Sequence, residues 1–168
     1  MSFSIEKVMP EDAYELALCH IACWQSAYKG IVPDDYLENM EKEIEQRTEK
    51  TKNNLIKSPD SFYCAKFDNR IIGSLVFSKS FDGDKPDAGE VGAIYLLEEF
   101  WGKGYGRQMM DYALNALKNM GYHEIIVWVF EENARARRFY EKCGFILDGA
   151  KKILETGKPL TAVRYVLS

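Results

Sequence analysis

The 168-residue sequence predicts one α/β domain, built on a mixed sheet that carries helices on both faces. Its length is that of a single domain with a sizeable core. Its composition, with 46% apolar and 29% charged residues, is typical of a globular chain. Strand and helix patterns follow one another in the order β-α-α-α-β-β-β-α-β-α-β-β, and no composition shift divides residues 1–168. That order favours a layered arrangement of helices around one sheet.

The first third of the chain predicts one strand and three helices. Residues 2–8 alternate like a strand. Pro10 and the acids after it suit a helix start, and apolar residues then recur at helical spacing until Gly30. Residues 33–40 predict a short second helix. Residues 41–58 are helical but mostly charged, which predicts a solvated surface helix with a thin apolar edge.

The middle of the chain predicts three strands. Residues 61–67 and 70–80 are β-rich runs around Asp68 and Asn69, a pair suited to a tight hairpin turn. After a polar loop, residues 90–97 predict a further strand, which leads directly into a glycine-rich segment.

The last third alternates between helix and strand. The helix after the glycines has one apolar face and closes at Gly121. Residues 123–130 predict an interior strand, and 133–144 predict a short helix. Residues 145–151 and 160–168 complete the chain as two strands.

The glycine segment "EEFWGKGYGRQMMDYAL" (98–114) invites comparison with phosphate-binding loops. A Walker-type loop needs Ser or Thr after its lysine, but Lys103 is followed by Gly104. A dinucleotide fingerprint beginning at Gly102 needs its third glycine where Arg107 stands. The first interpretation fails on the residue after the lysine, and the second fails on glycine spacing.

A turn that opens a helix explains the spacing better. Successive N–H groups from Gly102 to Arg107 would point outward at a helix N-terminus and bind a pyrophosphate. A Cβ would hold the diphosphate away from these amides, and Lys103 and Arg107 would add positive charge. The alternative is a tight strand-to-helix turn whose glycines serve backbone geometry alone.

Two segments carry a family resemblance. "IYLLEEFWGKGYGRQMM" resembles the acetyl-CoA motif of the GNAT superfamily of N-acetyltransferases, Gln/Arg-x-x-Gly-x-Gly/Ala. Gly104 and Gly106 match its glycines, while Trp101 stands where the family has Gln or Arg. "NARARRFYEKCGF" is similar to the family's Asn-(x)6-Tyr-(x)4-Phe segment, beginning at Asn133. "CWQSAYKGIVPDDYL" also resembles the first-helix region of many bacterial members.

The resemblance implies a GNAT-like fold, with a mostly antiparallel sheet and one splayed parallel strand pair that leaves a cleft for CoA. It implies an N-acetyltransferase that moves the acetyl group of acetyl-CoA, its cosubstrate, directly to a primary amine of a small molecule or peptide in a ternary complex. The alternative is a non-catalytic sensor domain that binds CoA or acyl-CoA without turnover.

The resemblance also implies cofactor-binding residues. The backbone of Ile94, Tyr95 and Leu96 would bond the pantetheine arm, and the Leu96 amide would polarise the thioester carbonyl. These three residues would equally serve as core strand. The other implied cofactor-binding residues are Gly102, Lys103, Gly104, Tyr105, Gly106, Arg107, Asn133 and Tyr140. Asn133 alternatively caps the helix after it.

Catalytic roles follow from the same resemblance. Tyr140 would protonate the departing CoA thiolate, although it also falls on an apolar helical stripe. Glu90 is the candidate base, acting directly or through water, with a solvated strand-end carboxylate as the alternative. Some protein-acetylating members carry a glutamate five residues before the Asn; Trp128 stands there, which argues mildly against a protein N-terminus as acceptor. Trp24 and Tyr28 share a helical face at the expected amine site, with core packing as the alternative for Trp24.

Several classes are disfavoured. A net charge of −4 argues against nucleic-acid binding. The N-terminal residues lack a secretory signal pattern, and no apolar run reaches about 18 residues, so we expect a cytoplasmic protein without membrane contact. We expect buried thiols and no metal, because the chain has two histidines and no CxxC; the four cysteines are Cys19, Cys23, Cys64 and Cys143. The sequence is silent on oligomeric state, and a homodimer is left open.

Overall fold

The computed structural model describes residues 2–168 and contains one seven-stranded sheet in the order β1-β2-β3-β4-β5-β7-β6. Its strands are β1 Phe3–Lys7, β2 Phe62–Phe67, β3 Arg70–Lys79, β4 Gly89–Leu96, β5 Ile125–Phe130, β6 Ile146–Glu155 and β7 Pro159–Leu167. Its helices are α1 Ala13–Ala27, α2 Asp34–Asn39, α3 Ile44–Lys57, α4 Tyr105–Asn119 and α5 Ala134–Lys142. Neighbouring strands are antiparallel except for β4 and β5. The predicted fold class, including the parallel pair, is confirmed.

Helices cover both faces of this sheet because side chains alternate along each strand. On β3, Ser74 lies in a pocket with residues of α1 and α3. Its neighbour Gly73 faces the other way, where an added Cβ would lie 3.3 Å from the Met109 side chain of α4. The α1–α3 layer and the α4 layer therefore occupy opposite faces.

The β2–β3 hairpin confirms the turn predicted at Asp68 and Asn69. These two residues have φ of 49° and 69°, the only positive values at non-glycine positions among residues 2–168. A two-residue turn with positive φ at both positions matches the right-handed twist of the strands it joins. The turn therefore sets the register of the first hairpin.

β4 and β5 part soon after they meet. They pair only at Gly89 with Ile125 and at Glu90 with Ile126. On its other edge β4 stays paired with β3 as far as Leu96, although the register skips Gly92 at a bulge. From Val91 onward the edge of β4 that faces β5 has no strand partner, so the predicted splay is confirmed.

Two boundaries differ from the sequence prediction. A 3₁₀ turn, Pro10–Asp12, precedes α1, so the α-helix begins only at Ala13. β6 continues past the predicted end at residue 151, because it pairs with β7 as far as Glu155 opposite Pro159. β6 is a mostly exposed edge strand with little apolar alternation, so its length depends on a partner strand far along the chain.

A buried ion network fixes the loop before β4 against β7. Arg164 is 4% exposed and bonds Asp82, Asp84 and Asp148 at 2.7–2.8 Å. Asp82 also accepts a 2.9 Å hydrogen bond from the Trp128 indole. The Arg164 guanidinium lowers the pKa of Asp84 from 3.8 to about 2. The Asp84 contribution to stability is therefore complete above its ordinary pKa and is lost as pH falls through 2.

Arg164→Ala should lower the free energy of unfolding by about 3 to 5 kcal/mol, because it removes a buried guanidinium and leaves the partly buried carboxylates of Asp82 and Asp148 without a counter-charge. Urea denaturation at neutral pH measures the change. Arg70→Ala is the control, because its ion pair with Glu99 is exposed and should contribute at most about 1 kcal/mol. Equal losses in the two variants would contradict a structural role for the network.

Candidate functional site

The parting of β4 and β5 opens a cleft whose main cavity is about 370 Å³. Its walls are the C-terminal half of β4, the turn that begins α4 and one side of α5. A smaller space of about 70 Å³ continues between the strands toward Gly92 and Trp128. The side chains and backbone that line the main cavity include Ile94, Tyr95, Leu96, Trp101, Gly102, Gly104, Gly106, Arg107, Arg135, Ala136, Phe139 and Tyr140.

The unpaired edge of β4 directs backbone amides into this cleft. The Leu97 amide donates to the Ile72 carbonyl of β3 at 2.8 Å. Because successive residues of a strand point their N–H groups to opposite edges, the amides of Leu96 and Ile94 face away from β3 and toward the cleft. An extended chain could bond this edge as an added strand would.

The glycine turn brings a helix N-terminus to the end of that edge. Gly104 is the N-cap of α4 with φ of +88°, and Gly102 has φ of +72°, both in the left-handed region that favours glycine. The first-turn amides of Tyr105, Gly106 and Arg107 have no partner within the helix. A Cβ on Gly106 would lie 3.4 Å from the Phe139 ring of α5. Gly102 and Gly104 therefore serve backbone geometry, while a Cβ at Gly106 would lie within van der Waals range of α5.

The side chains of the turn differ in direction. Arg107 lines the cavity while it bonds Asp111 at 3.1 Å. Tyr105 stacks on Phe3 of β1 at 4.6 Å between ring centroids. Lys103 lies outside the cavity lining, with its Nζ 5.7 Å above the Phe100 ring. Of the predicted charged pair, the structure brings only the Arg107 side chain into the cleft.

Trp101, which replaces the family's Gln or Arg, connects the two walls. Its indole N–H donates to the Leu96 carbonyl at 2.8 Å, on the edge of β4 that faces the cleft. The Arg135 guanidinium of α5 lies 3.5 Å above the Trp101 ring, a cation–π arrangement. Arg135 and Trp101 lie 34 residues apart along the chain, so no local sequence pattern predicts this contact.

Two predicted residues of the second segment lie in the cleft wall. Asn133 is 6% exposed and caps α5 by accepting a 3.2 Å hydrogen bond from the Ala136 amide, while it also lines the narrow end of the cleft. Tyr140 is 7% exposed and lines both parts. Burial, and secondarily Tyr28, raise the pKa of Tyr140 above its usual 10, so the phenol keeps its proton across the neutral range.

An aromatic cluster on α1 covers the strand end. The hydroxyls of Tyr28 and Tyr95 lie 2.8 Å apart. Trp24 packs edge-on against Tyr28 at 4.8 Å, and within the described part of the chain its buried indole N–H has no hydrogen-bond partner. Tyr28 lines the narrow end of the cleft, whereas Trp24 is a half-buried residue behind it. The structure thus brings one of the two predicted amine-site residues to the cavity surface.

Glu90 lies at the point where β4 still pairs with β5, outside the lining of either cavity. Its pKa is raised above the usual 4.5, mainly by burial, and the neighbouring charge of Asp82 acts in the same direction. A raised pKa suits a base, since it makes the carboxylate a better proton acceptor. The role of Glu90 stays a prediction.

The cysteines are buried free thiols and poor nucleophiles. All four are free and buried, and burial raises the pKa of the Cys64 thiol to about 12 and the pKa of Cys143 above its usual value. Cys19 and Cys23 lie 3.9 Å apart at their sulfurs. Residues 2–168 contain no group of three or more His, Cys, Asp or Glu that could hold a metal ion. In the same range no helix is long and apolar enough to cross a bilayer.

Comparisons with known proteins agree with this geometry. A family model described as acetyltransferase (GNAT) family matches residues 22–145. The uncharacterised N-acetyltransferase YuaI of Bacillus subtilis is 30% identical over 131 residues, which cover 77% of this chain and 73% of that protein. Spermidine N(1)-acetyltransferase of Thermoplasma acidophilum is 27% identical over 166 residues, covering 92% and 97%. The PaiA N-acetyltransferase of Thermoplasma acidophilum, solved in complex with coenzyme A, has the same fold, with a TM-score of 0.78, 24% identity and coverage of 97% and 98%.

Substitutions at Asn133 test its capping role. Asn133→Ala should lower the free energy of unfolding by about 1 kcal/mol, because the Ala136 amide loses its acceptor. Asn133→Asp keeps an acceptor oxygen and should be as stable as the parent. Thermal or urea unfolding checks both variants; equal destabilisation by Asp and Ala would contradict the capping role.

Proposed function

The chain belongs to the GNAT family of acetyltransferases, and we propose that it moves the acetyl group of acetyl-CoA directly to a primary amine within a ternary complex. One observation carries this proposal: the unpaired edge of β4 runs directly into the glycine-capped N-terminus of α4. An amide-lined edge suits an extended, amide-containing arm, and a helix N-terminus suits a pyrophosphate. Acetyl-CoA has both groups in this order.

Acetyl-CoA would lie with its pyrophosphate on the first-turn amides of α4. Its pantetheine arm would follow β4 away from that helix, toward the narrow end of the cleft at Gly92. The thioester carbonyl would then meet an amide of the unpaired edge. Leu96 is the predicted donor, and Ile94 points the same way two residues deeper. Either amide would stabilise the oxyanion by a few kcal/mol.

The protonated, buried thiols favour direct transfer over an acyl-cysteine intermediate. An acyl-enzyme would need a nucleophilic thiolate. Burial raises the pKa of the Cys143 thiol, and the charged neighbours that act on it are Arg107 and Asp111, neither of which is a histidine base. We therefore assign attack to the acceptor amine itself.

Two side chains would handle protons. Tyr140 would donate its phenolic proton to the departing CoA thiolate, and the Arg135 charge nearby opposes the rise in its pKa. Glu90 would take a proton from the incoming ammonium through water, because it lies beyond the cavity lining. The acceptor must lose this proton before it can attack, because an alkylammonium has a pKa near 10 and is mostly protonated at neutral pH.

The acceptor class is a small-molecule or peptide amine. The spermidine acetyltransferase with 27% identity makes spermidine the first amine to test. We place the amine at the α1 side of the cleft, next to Tyr28 and in front of Trp24. A homodimer and a cytoplasmic location remain predictions.

Gly106→Val should weaken CoA binding at least about 10-fold, because its side chain would fill the space between the first-turn amides and Phe139. Isothermal titration calorimetry with CoA measures the change. Gln108→Val, exposed on the same helix and outside the cavity lining, is the matched control and should bind normally. Gly104 is a poorer test position, because its φ of +88° would strain any side chain. Undiminished binding by a folded Gly106→Val protein would disprove the phosphate cradle.

Tyr140→Phe should lower kcat about 100-fold or more with little change in the Kd of acetyl-CoA, because it removes the proton donor and keeps the ring packing. Thiol release in single turnover, with spermidine within a panel of amines, measures the chemical step. An unchanged rate would remove Tyr140 from the mechanism. If acetyl-CoA binds tightly and no amine supports turnover by the parent protein, the chain is a sensor and the proposed function is wrong.

A further inference from the structure

A second cavity, on the α1–α3 face of the sheet, is separate from the cleft that fits acetyl-CoA. It is about 210 Å³ in volume and lies between α1, α3 and strands β2 to β4. We call it the basic pocket, and its polar or charged lining residues are His20, Arg47, Lys50, Thr51, Asn54 and Ser74. The volume exceeds the roughly 30 Å³ that one water occupies in the liquid, so it has room for several heavy atoms.

Two buried donors in this pocket have no hydrogen-bond partner among residues 2–168. Ser74 is 7% exposed, and its hydroxyl makes no hydrogen bond. The Nε–H of Arg47 is buried and equally unpaired, although its Nη2 bonds Glu43 at 3.1 Å. A buried donor without an acceptor lowers stability, because it has given up its hydrogen bonds to water. Both atoms therefore call for an acceptor supplied from outside the chain.

The charged side chains that line the pocket are cationic, and Glu43, which pairs with Arg47, lies outside the lining. Arg47 and Lys50 are three residues apart on α3 and so lie on the same side of that helix. The described lining includes no Asp or Glu. His20, which faces Arg47 and Lys50 from α1 and packs edge-on against Tyr95 at 5.3 Å, has its pKa lowered to about 4, first by burial and then by those two cations. The imidazole is therefore neutral at pH 7 and can donate one N–H.

We propose that the basic pocket binds a small oxyanion, above all a carboxylate group, through Arg47, Lys50 and Ser74. A carboxylate is an acceptor with two oxygens, which matches two orphan donors and a flexible ammonium. The pocket shares Ala93 with the narrow end of the cleft, so the anion would lie close to the expected thioester. The anion is either the carboxylate of the acceptor amine or a separate small acid.

Histidine NMR tests the site without any acetyl transfer, so its outcome is independent of the proposed function. The chain has only His20 and His123, and their ring resonances can be assigned by substitution. Sulfate should raise the pKa of His20 by about one pH unit relative to chloride at the same ionic strength, because a bound anion favours the imidazolium. His123 should not respond. At neutral pH, succinate should shift the His20 resonances in the same saturable way.

Lys50→Gln should weaken sulfate and succinate binding at least about 10-fold, whereas Lys52→Gln should bind as the parent does. Lys52 is the matched control, because it lies on the same helix, pairs with Glu49 at 3.5 Å and is outside the pocket. Ser74→Ala should also weaken binding, with no loss of stability, because the hydroxyl it removes has no partner. If sulfate and succinate act on His20 no more than chloride does, the pocket holds only water and the proposal is wrong.

Acetylation of lysine and of cadaverine, which differ by one carboxylate, distinguishes the two sources. If the acceptor supplies the carboxylate, Lys50→Gln should raise KM for lysine and leave KM for cadaverine unchanged. If a separate acid supplies it, succinate should change the rate with cadaverine, and Lys50→Gln should abolish that response. Anion effects that persist unchanged in Lys50→Gln would overturn the assignment to this pocket.

Discussion

The site depends on the separation of β4 and β5 after only two residue pairs. Each strand remains held on its outer edge, β4 by β3 and β5 by β7, so neither can close the gap. The inner edge of β4, which in another sheet would pair with a strand, here directs backbone amides and carbonyls into the cleft. The polar groups of this edge need hydrogen-bond partners, and a bound ligand can supply them. The cleft and its backbone donors both follow from this one separation.

Trp101 contacts both the open edge of β4 and the opposite wall of the cleft. Its indole satisfies the Leu96 carbonyl, and its ring supports the Arg135 guanidinium on the opposite wall. The family has Gln or Arg at this position. In this protein the position is Trp101, and the Arg135 guanidinium stacks on its ring. The positive charge is thereby kept at the mouth of the cleft, although it comes from α5 and not from the turn.

The two faces of the sheet carry different chemistry near the same strand. On the α4–α5 side the lining combines backbone amides, glycines and Arg107, an arrangement suited to a long phosphorylated cosubstrate. On the α1–α3 side the basic pocket combines two cations with unpaired donors. Ala93 lies between the two spaces. A bisubstrate reaction needs two ligands that meet at one point, and β4 is the element at which the two spaces approach each other.

The sequence by itself determined the order of elements, the turn at Asp68 and Asn69, the glycine-opened helix and the second segment at Asn133 and Tyr140. These features are local: periodicity, turn chemistry and caps act within a few residues, so one stretch of chain is enough to reveal them. The family assignment could be made for the same reason, because its motifs are short.

Only the tertiary structure decided which side chains share a space. Lys103 and Arg107 are equivalent by sequence, yet one lies over Phe100 and the other lines the cleft. Arg135 and Trp101, and likewise Arg47 and Ser74, meet only when distant elements pack. The end of β6 and the position of Glu90 also depend on strand pairing across the sheet. Contacts between residues far apart in the chain have no periodic signature, because the geometry that joins them comes from the whole fold.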